Sequence, residues 1–233
     1  MNVEFLWEAF LTALSGAPIA VIVTVVSLVI ALPAGFILAL LRMNDVPVIK
    51  QLARLYVSFV RGTPLIIQIF IIYTSVPIML NIIFTKYQID YNIYEIHPLW
   101  YAFLIFSFNT TAVLMEVFRS ALHAVDQDQL EACQSIGLTT FQSYRRIIIP
   151  QVLVVALPNI STATINLIKA TSLGYAISLS EITLRTKVAA NAGYHYLEAY
   201  IAIFVVYLVL CSLVEYGFKK MEVRASRFKG TLA

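Results

Sequence analysis

The chain has 233 residues, 60% of them hydrophobic and 12% charged, with a mean hydropathy of +0.83. Soluble domains average roughly 25% charged and 45–50% apolar residues, so a sizeable soluble domain is excluded and a polytopic membrane protein is indicated. The net charge of +3 is small and by itself says nothing about nucleic acid; the basic residues flank apolar runs, and no nucleic-acid partner is expected.

The first elements follow from runs without charge. Residues 4–16 carry Phe5, Leu6, Trp7, Phe10 and Leu11 beside Glu4 and Glu8. They read as a short interfacial helix, which Gly16 and Pro18 should break, and they lack the positive flank of a signal peptide. Residues 17–41 are uncharged and long enough to cross a bilayer, for which about 20 residues suffice. Arg42, Lys50 and Arg54 mark the next stretch as a basic loop. Thr63 then Pro64 is a helix start, with Thr63 as the expected cap and the second span over about 62–84. Arg61 reads as a span-end anchor at the membrane interface rather than as a substrate contact.

A Tyr-rich loop with Lys86, Asp90 and Glu95 precedes a third span over about 97–118. That span contains Asn109, Thr110, Thr111 and Glu116. Ionisable residues within a membrane are functional candidates by default. Glu116 also shares a helix face with Arg119, and a self-neutralised pair is the other reading. The fourth span, about 147–169, holds Pro150 and Pro158, with Asn159, Thr162 and Asn166 near one face. Lys169, Thr171 and Ser172 follow. Lys169 needs a partner such as Glu116, Glu181 or a substrate carboxylate, unless it snorkels to water. Residues 175–196 are amphipathic and lie outside the spans. The fifth span covers about 196–218, before a basic tail. Cys133 falls in a loop and Cys211 in a span, so no structural disulfide is expected.

The loop over 126–146 is polar and well punctuated. Asp128 and Glu131 have capping-box spacing, and two carboxylates suit a helix N-terminus. Gly137 is placed to end the short helix in the left-handed conformation. Thr139 and Gln142 offer a second capping pair for a helix starting near Thr140. Leu130, Cys133 and Ile136 form a narrow apolar stripe that can enter a groove on another protein or pack on its own chain.

Glu131-Ala132-Cys133, then Gly137, then Ile147-x-Ile149-Pro150 resembles the EAA loop of ABC importer membrane subunits. Cys133 stands where that family has Ala, and Ile149 where it has Leu. Arg61-Gly62-Thr63-Pro64-Leu65, with Gln68 after it, is similar to the motif that opens the second core span in the polar amino-acid subfamily. Glu116-x-Phe118-Arg119 keeps part of the family's third-span pattern, although Val113 replaces a Tyr. Lys169-Ala170-Thr171-Ser172-Leu173 departs from Lys-Asp-Thr-Ser-Leu at Ala170.

The resemblance implies an all-α membrane protein with five transmembrane helices. Its fold would be type I ABC importer permease-like, with a cytosolic coupling helix and a single transmembrane domain over 1–233. It implies a translocation subunit for a polar amino acid, with cystine or another zwitterionic amino acid as the specific expectation. The expected partners are an ATP-binding cassette ATPase, which would hold ATP and Mg, an extracellular solute-binding protein and a second permease copy or paralogue. The ATPase-docking residues would be Asp128, Leu130, Glu131, Ala132, Cys133, Ile136 and Gly137. Candidates for the substrate path are Asn109, Glu116, Asn166, Lys169, Thr171 and Ser172.

The Lys/Arg census gives an orientation without the resemblance. Arg42, Lys50, Arg54, Arg61, Arg119, Arg145, Arg146 and the tail fall on one side, and Lys86, Arg185 and Lys187 on the other. The positive-inside rule puts the first group in the cytoplasm, with the N-terminus outside and the C-terminus inside a cytoplasmic membrane. No phosphate loop, His-Glu-x-x-His or Gly-x-Ser-x-Gly occurs, so no catalysis or metal is expected in this chain itself. An ion-coupled secondary transporter acting alone is the alternative function.

Overall fold

In the computed structural model, residues 2–43, 47–126 and 128–229 are described. They are mostly helical, with no strand among them, and five helices are long and apolar enough to cross a membrane. Helix α1 spans Val3–Met43, α2 Pro47–Gly62, α3 Leu65–Lys86 and α4 Pro98–His123. The short α5 (Asp128–Ser135) and α6 (Thr140–Ser143) lead into α7 (Ile149–Thr171). Helix α8 (Ile182–Asn191) and α9 (Tyr196–Lys229) complete the chain.

Helix α1 is the axis of the bundle. Its buried residues are mostly small and recur every three or four positions: Ala9, Ala13, Gly16, Ala20, Ser27, Ala31, Gly35 and Ala39. Hydrophobic burial gives helices little reason to associate inside lipid, so close approach at small residues carries more of the packing. At Gly35 an added Cβ would lie 3.0 Å from the Met115 backbone nitrogen on α4. At Gly16 it would lie 2.5 Å from the Ile182 nitrogen at the start of α8. The expected break at Gly16 and Pro18 does not occur, because α1 is one helix of 41 residues. Gly16 serves contact rather than interruption. A proline in a membrane helix is tolerated where neighbouring packing compensates for the lost hydrogen bond.

The basic stretch after α1 is also a helix rather than a loop. Ala53, Val57 and Val60 of α2 are buried at helical spacing against α1 and α4, while Arg54 and Arg61 are exposed. The Tyr56 hydroxyl donates to the Phe108 carbonyl of α4, and its ring meets Phe108 edge-on at 4.8 Å. Helix α3 starts one residue later than Thr63 and Pro64 suggest: Pro64 is its N-cap, and the Thr63 hydroxyl turns back to the Phe59 carbonyl at 2.8 Å. Helix α4 opens on a His97 cap, whose Nδ1 accepts from the Leu99 N–H at 3.2 Å, with Pro98 in the first turn.

Between α6 and α7 the chain widens into a π turn, Tyr144–Ile148, closed by a hydrogen bond from the Ile149 N–H to the Tyr144 carbonyl. Pro150 accounts for it. Proline has no N–H to donate and its ring crowds the carbonyl four residues back, here that of Arg146. A wider turn relieves that clash. A 3-10 segment, Ser172–Ile177, links α7 to α8.

Substituting Gly16 by alanine should force apart two backbones and lower stability by about 3 kcal/mol. Gly217→Ala, where the new atom meets nothing within 4 Å, should be neutral. Thermal melts of the two variants in one detergent check the contrast.

Candidate functional site

Two features stand out from the packed bundle: the exposed helix α5 and a polar face on α7. Helix α5 is held at both ends by local chemistry. The Asp126 carboxylate accepts from the Asp128 N–H at 3.1 Å, so the start is secured two residues earlier than an Asp128–Glu131 box would place it. At the other end Gly137 takes φ +85°, the Gly137 N–H bonds the Gln134 carbonyl at 3.0 Å and the Leu138 N–H the Cys133 carbonyl at 3.1 Å. This is the paired closure of a Schellman motif. Thr139 and Gln142 then form the expected capping box, at 3.0 and 3.3 Å, and open α6.

The apolar stripe of α5 is divided between two surroundings. Cys133 is 4% exposed and faces the chain's own interior, whereas Ile136 is 77% exposed. Asp128, Glu131, Ala132 and Gly137 are exposed and Leu130 is half-buried. Gln151 on the first turn of α7 donates to the Gln129 side chain at 2.7 Å. The inner side of α5 is therefore tied to α7, and its outer side is free. Cys133 is buried, so its thiol is not offered to a partner.

On α7, Asn159, Thr162, Asn166 and Lys169 are all exposed. Their spacing of three and four puts them on one face of a membrane-length helix. Among the described residues no carboxylate lies within ion-pair distance of Lys169. The other path candidates lie elsewhere. Glu116 is ion-paired to Arg42 and to Arg119, the latter at 2.8 Å, so it does not neutralise Lys169. Thr171 is fully buried, donating to the Ile168 carbonyl at 2.7 Å. Ser172 donates to the Lys169 carbonyl at 2.7 Å. Asn109 donates to Gln68 at 3.1 Å, and Gln68 in turn bonds the Val60 carbonyl at 2.8 Å. Asn109 sits near the middle of α4, so the α2–α3 junction lies at that level. Arg61 is exposed in the last turn of α2, four residues before the membrane-length helix α3 begins at Leu65.

Residues 31–226 match the family described as "Binding-protein-dependent transport system inner membrane component". The chain belongs to this permease family. It is 38% identical over 207 residues to "Probable amino-acid permease protein YxeN" of Bacillus subtilis (strain 168), across 89% of this chain and 88% of that one. It is 34% identical over 210 residues to "L-cystine transport system permease protein TcyL" of the same organism, across 90% of this chain and 85% of that one. A solved "amino acid ABC transporter with histidines" superimposes with a TM-score of 0.78 at 26% identity, over 96% of this chain and 100% of the other. The protein is an amino-acid ABC transporter permease subunit of the inner membrane, with the five-span, type I importer fold.

One polar cluster of the permease escaped the sequence reading. Glu181 is fully buried and caps α8, accepting from the Thr183 N–H at 2.9 Å and the Leu184 N–H at 3.1 Å. The Tyr207 hydroxyl of α9 donates to it at 2.9 Å. Its oxygens are taken by these bonds and it is not ion-paired to Lys169. Burial pushes its carboxyl above the usual value of 4.5, against the opposing pull of the Thr183, Tyr207 and Leu184 hydrogen bonds. The folded state therefore holds a proton that the unfolded chain has lost. The associated stability is full below about pH 4.5 and falls as pH rises through the raised folded value. Melting temperature should decline as pH rises above 4.5, and Glu181→Gln should flatten that slope in melts of the purified permease.

Proposed function

We propose that this permease subunit is driven through the outer side of α5 by a separate ATP-binding cassette ATPase, which holds the ATP and Mg. The observation that carries the reading is the two-sidedness of α5. One side is fastened to α7 through the Gln129–Gln151 bond, with Cys133 turned into the chain's interior, and the other presents Glu131, Ala132 and Ile136 outward. A helix so mounted transmits a push to α7 as a rigid lever. Gly137 belongs to the same device, because its positive φ fixes where the lever ends.

The orientation follows from charge. Arg42, Arg119, Arg145, Arg146, Lys219 and Lys220 gather at the end of the bundle that carries α5, and the positive-inside rule assigns that end to the cytoplasm. The N-terminus is then outside and the C-terminus inside. A solute-binding protein delivers the amino acid at the opposite end.

The polar face of α7 supports a second permease subunit, an identical copy or a paralogue. Amides and an unpaired ammonium on a membrane helix are unfavourable against lipid and belong to a water-filled or protein-covered surface. Asn159, Thr162, Asn166 and Lys169 line the path between the two subunits in this reading. Lys169 meets the substrate carboxylate there, which favours a zwitterionic cargo such as cystine and disfavours a cationic one.

Ile136→Asp should weaken capture of the ATPase about thirtyfold, with Glu131→Arg acting in the same direction. Both variants should insert normally and lose uptake in proteoliposomes carrying the whole transporter. Gradient-driven uptake by this chain without an ATPase would overturn the reading in favour of a secondary transporter. Lys169→Gln should raise KM for a zwitterionic amino acid about tenfold, as expected for loss of one charged hydrogen bond. Unchanged uptake kinetics would remove Lys169 from the path.

A further inference from the structure

Helix α9 is longer than a bilayer requires. Its 34 residues extend over roughly 51 Å, against a hydrocarbon core of about 30 Å. The apolar run ends at Val214. Beyond it the helix continues with Lys219, Lys220 and Arg224 exposed.

One face of this helix changes character along its length without a break. Val209, Leu213 and Tyr216 are 50%, 64% and 60% exposed, and they are spaced four and three apart. The same spacing leads on to Lys220, Val223 and Arg224. Tyr216, Lys219, Lys220, Val223 and Arg224 line one shallow concavity. The Lys220 ammonium lies 4.4 Å from the centre of the Tyr216 ring. Glu215 and Glu222 fall beside Lys219, away from the line through Lys220 and Arg224. Neither is ion-paired to a lysine among the described residues.

We propose that this stripe binds an anionic phospholipid. An acyl chain lies along Val209 and Leu213, the Tyr216 ring sits at the headgroup boundary, and the phosphate rests between Lys220 and Arg224 with Lys219 at the rim. The order of the groups favours a lipid over an acidic protein surface. A soluble partner would engage the cations alone and could not reach Leu213 and Val209 within the hydrocarbon. A lipid has a charged end and an apolar end in the sequence the stripe presents them. Tyrosine suits the boundary because its ring is apolar and its hydroxyl polar.

The test uses the transporter purified with its co-purifying subunits, exposed to phosphatidylglycerol and phosphatidylcholine and examined by native mass spectrometry. The wild type should retain phosphatidylglycerol selectively. The triple variant Lys219→Gln, Lys220→Gln, Arg224→Gln should lose that preference at about fivefold per cation removed. Leu213→Asn should weaken retention with all three cations in place. A control triple variant, Arg54→Gln, Arg145→Gln, Arg146→Gln, should keep the preference. Unchanged selectivity in the first triple variant, or an equal loss in the control, would overturn the proposal. So would loss of a protein subunit from the first triple variant with lipid retention intact, which would assign the face to a protein contact.

Discussion

Close approach of backbones along α1 is the constraint on which the structure depends. A bilayer removes most of the hydrophobic gain that assembles soluble helices, leaving van der Waals contact and polar pairing to fix their positions. Small residues on α1 allow α4, α8, α9 and α2 to gather around a single helix. Gly35 receives the α4 backbone near Met115, and Gly16 receives the turn that begins α8. The contact at Gly16 is too tight for a side chain and that at Gly35 is tighter than ordinary van der Waals contact, so they set the relative heights of the elements as well as their separation.

Polar groups then lock what the small residues bring together. Glu116 joins Arg42 at the end of α1 to Arg119 on its own helix, so one carboxylate bridges two guanidinium groups near the basic end of the bundle. Gln68 ties the α2–α3 junction to Asn109. Glu181 fastens α8 to α9 through Tyr207. These partnerships engage Glu116, whereas among the described residues Lys169 on the α7 face has no ion-pair partner. The division has a physical basis: a polar side chain in an apolar medium is stable when its hydrogen bonds are satisfied, and a satisfied group has little left for a ligand.

Much of this was legible in the chain itself where the signals are local. Uncharged length gave the membrane helices, and the Thr139–Gln142 box and Gly137 gave the punctuation around α5. Helix α2 was legible too, since Ala53, Val57 and Val60 have helical spacing, but the charges of Lys50 and Arg54 drew the reading toward a loop. The continuity of α1 through Gly16 and Pro18 was not legible, because local rules treat both residues as breaks and only the packed neighbour shows why glycine is there. The same limit hid the Arg42–Glu116 pair and the Glu181–Tyr207 bond, which join residues far apart in sequence. The inward turn of Cys133 depends on which side of α5 meets α7, and a stripe pattern alone does not say.

The π turn before α7 sets a phase relation between the two exposed features. One extra residue wound into a helix rotates everything beyond it by roughly 100° about the axis. The heading of Asn159, Asn166 and Lys169 relative to the knuckle at Ile136 is therefore fixed by the winding between Tyr144 and Ile148. Were that segment to tighten to ordinary α geometry, the amide and ammonium groups would swing by about a quarter of a circle with no change in the length of α7.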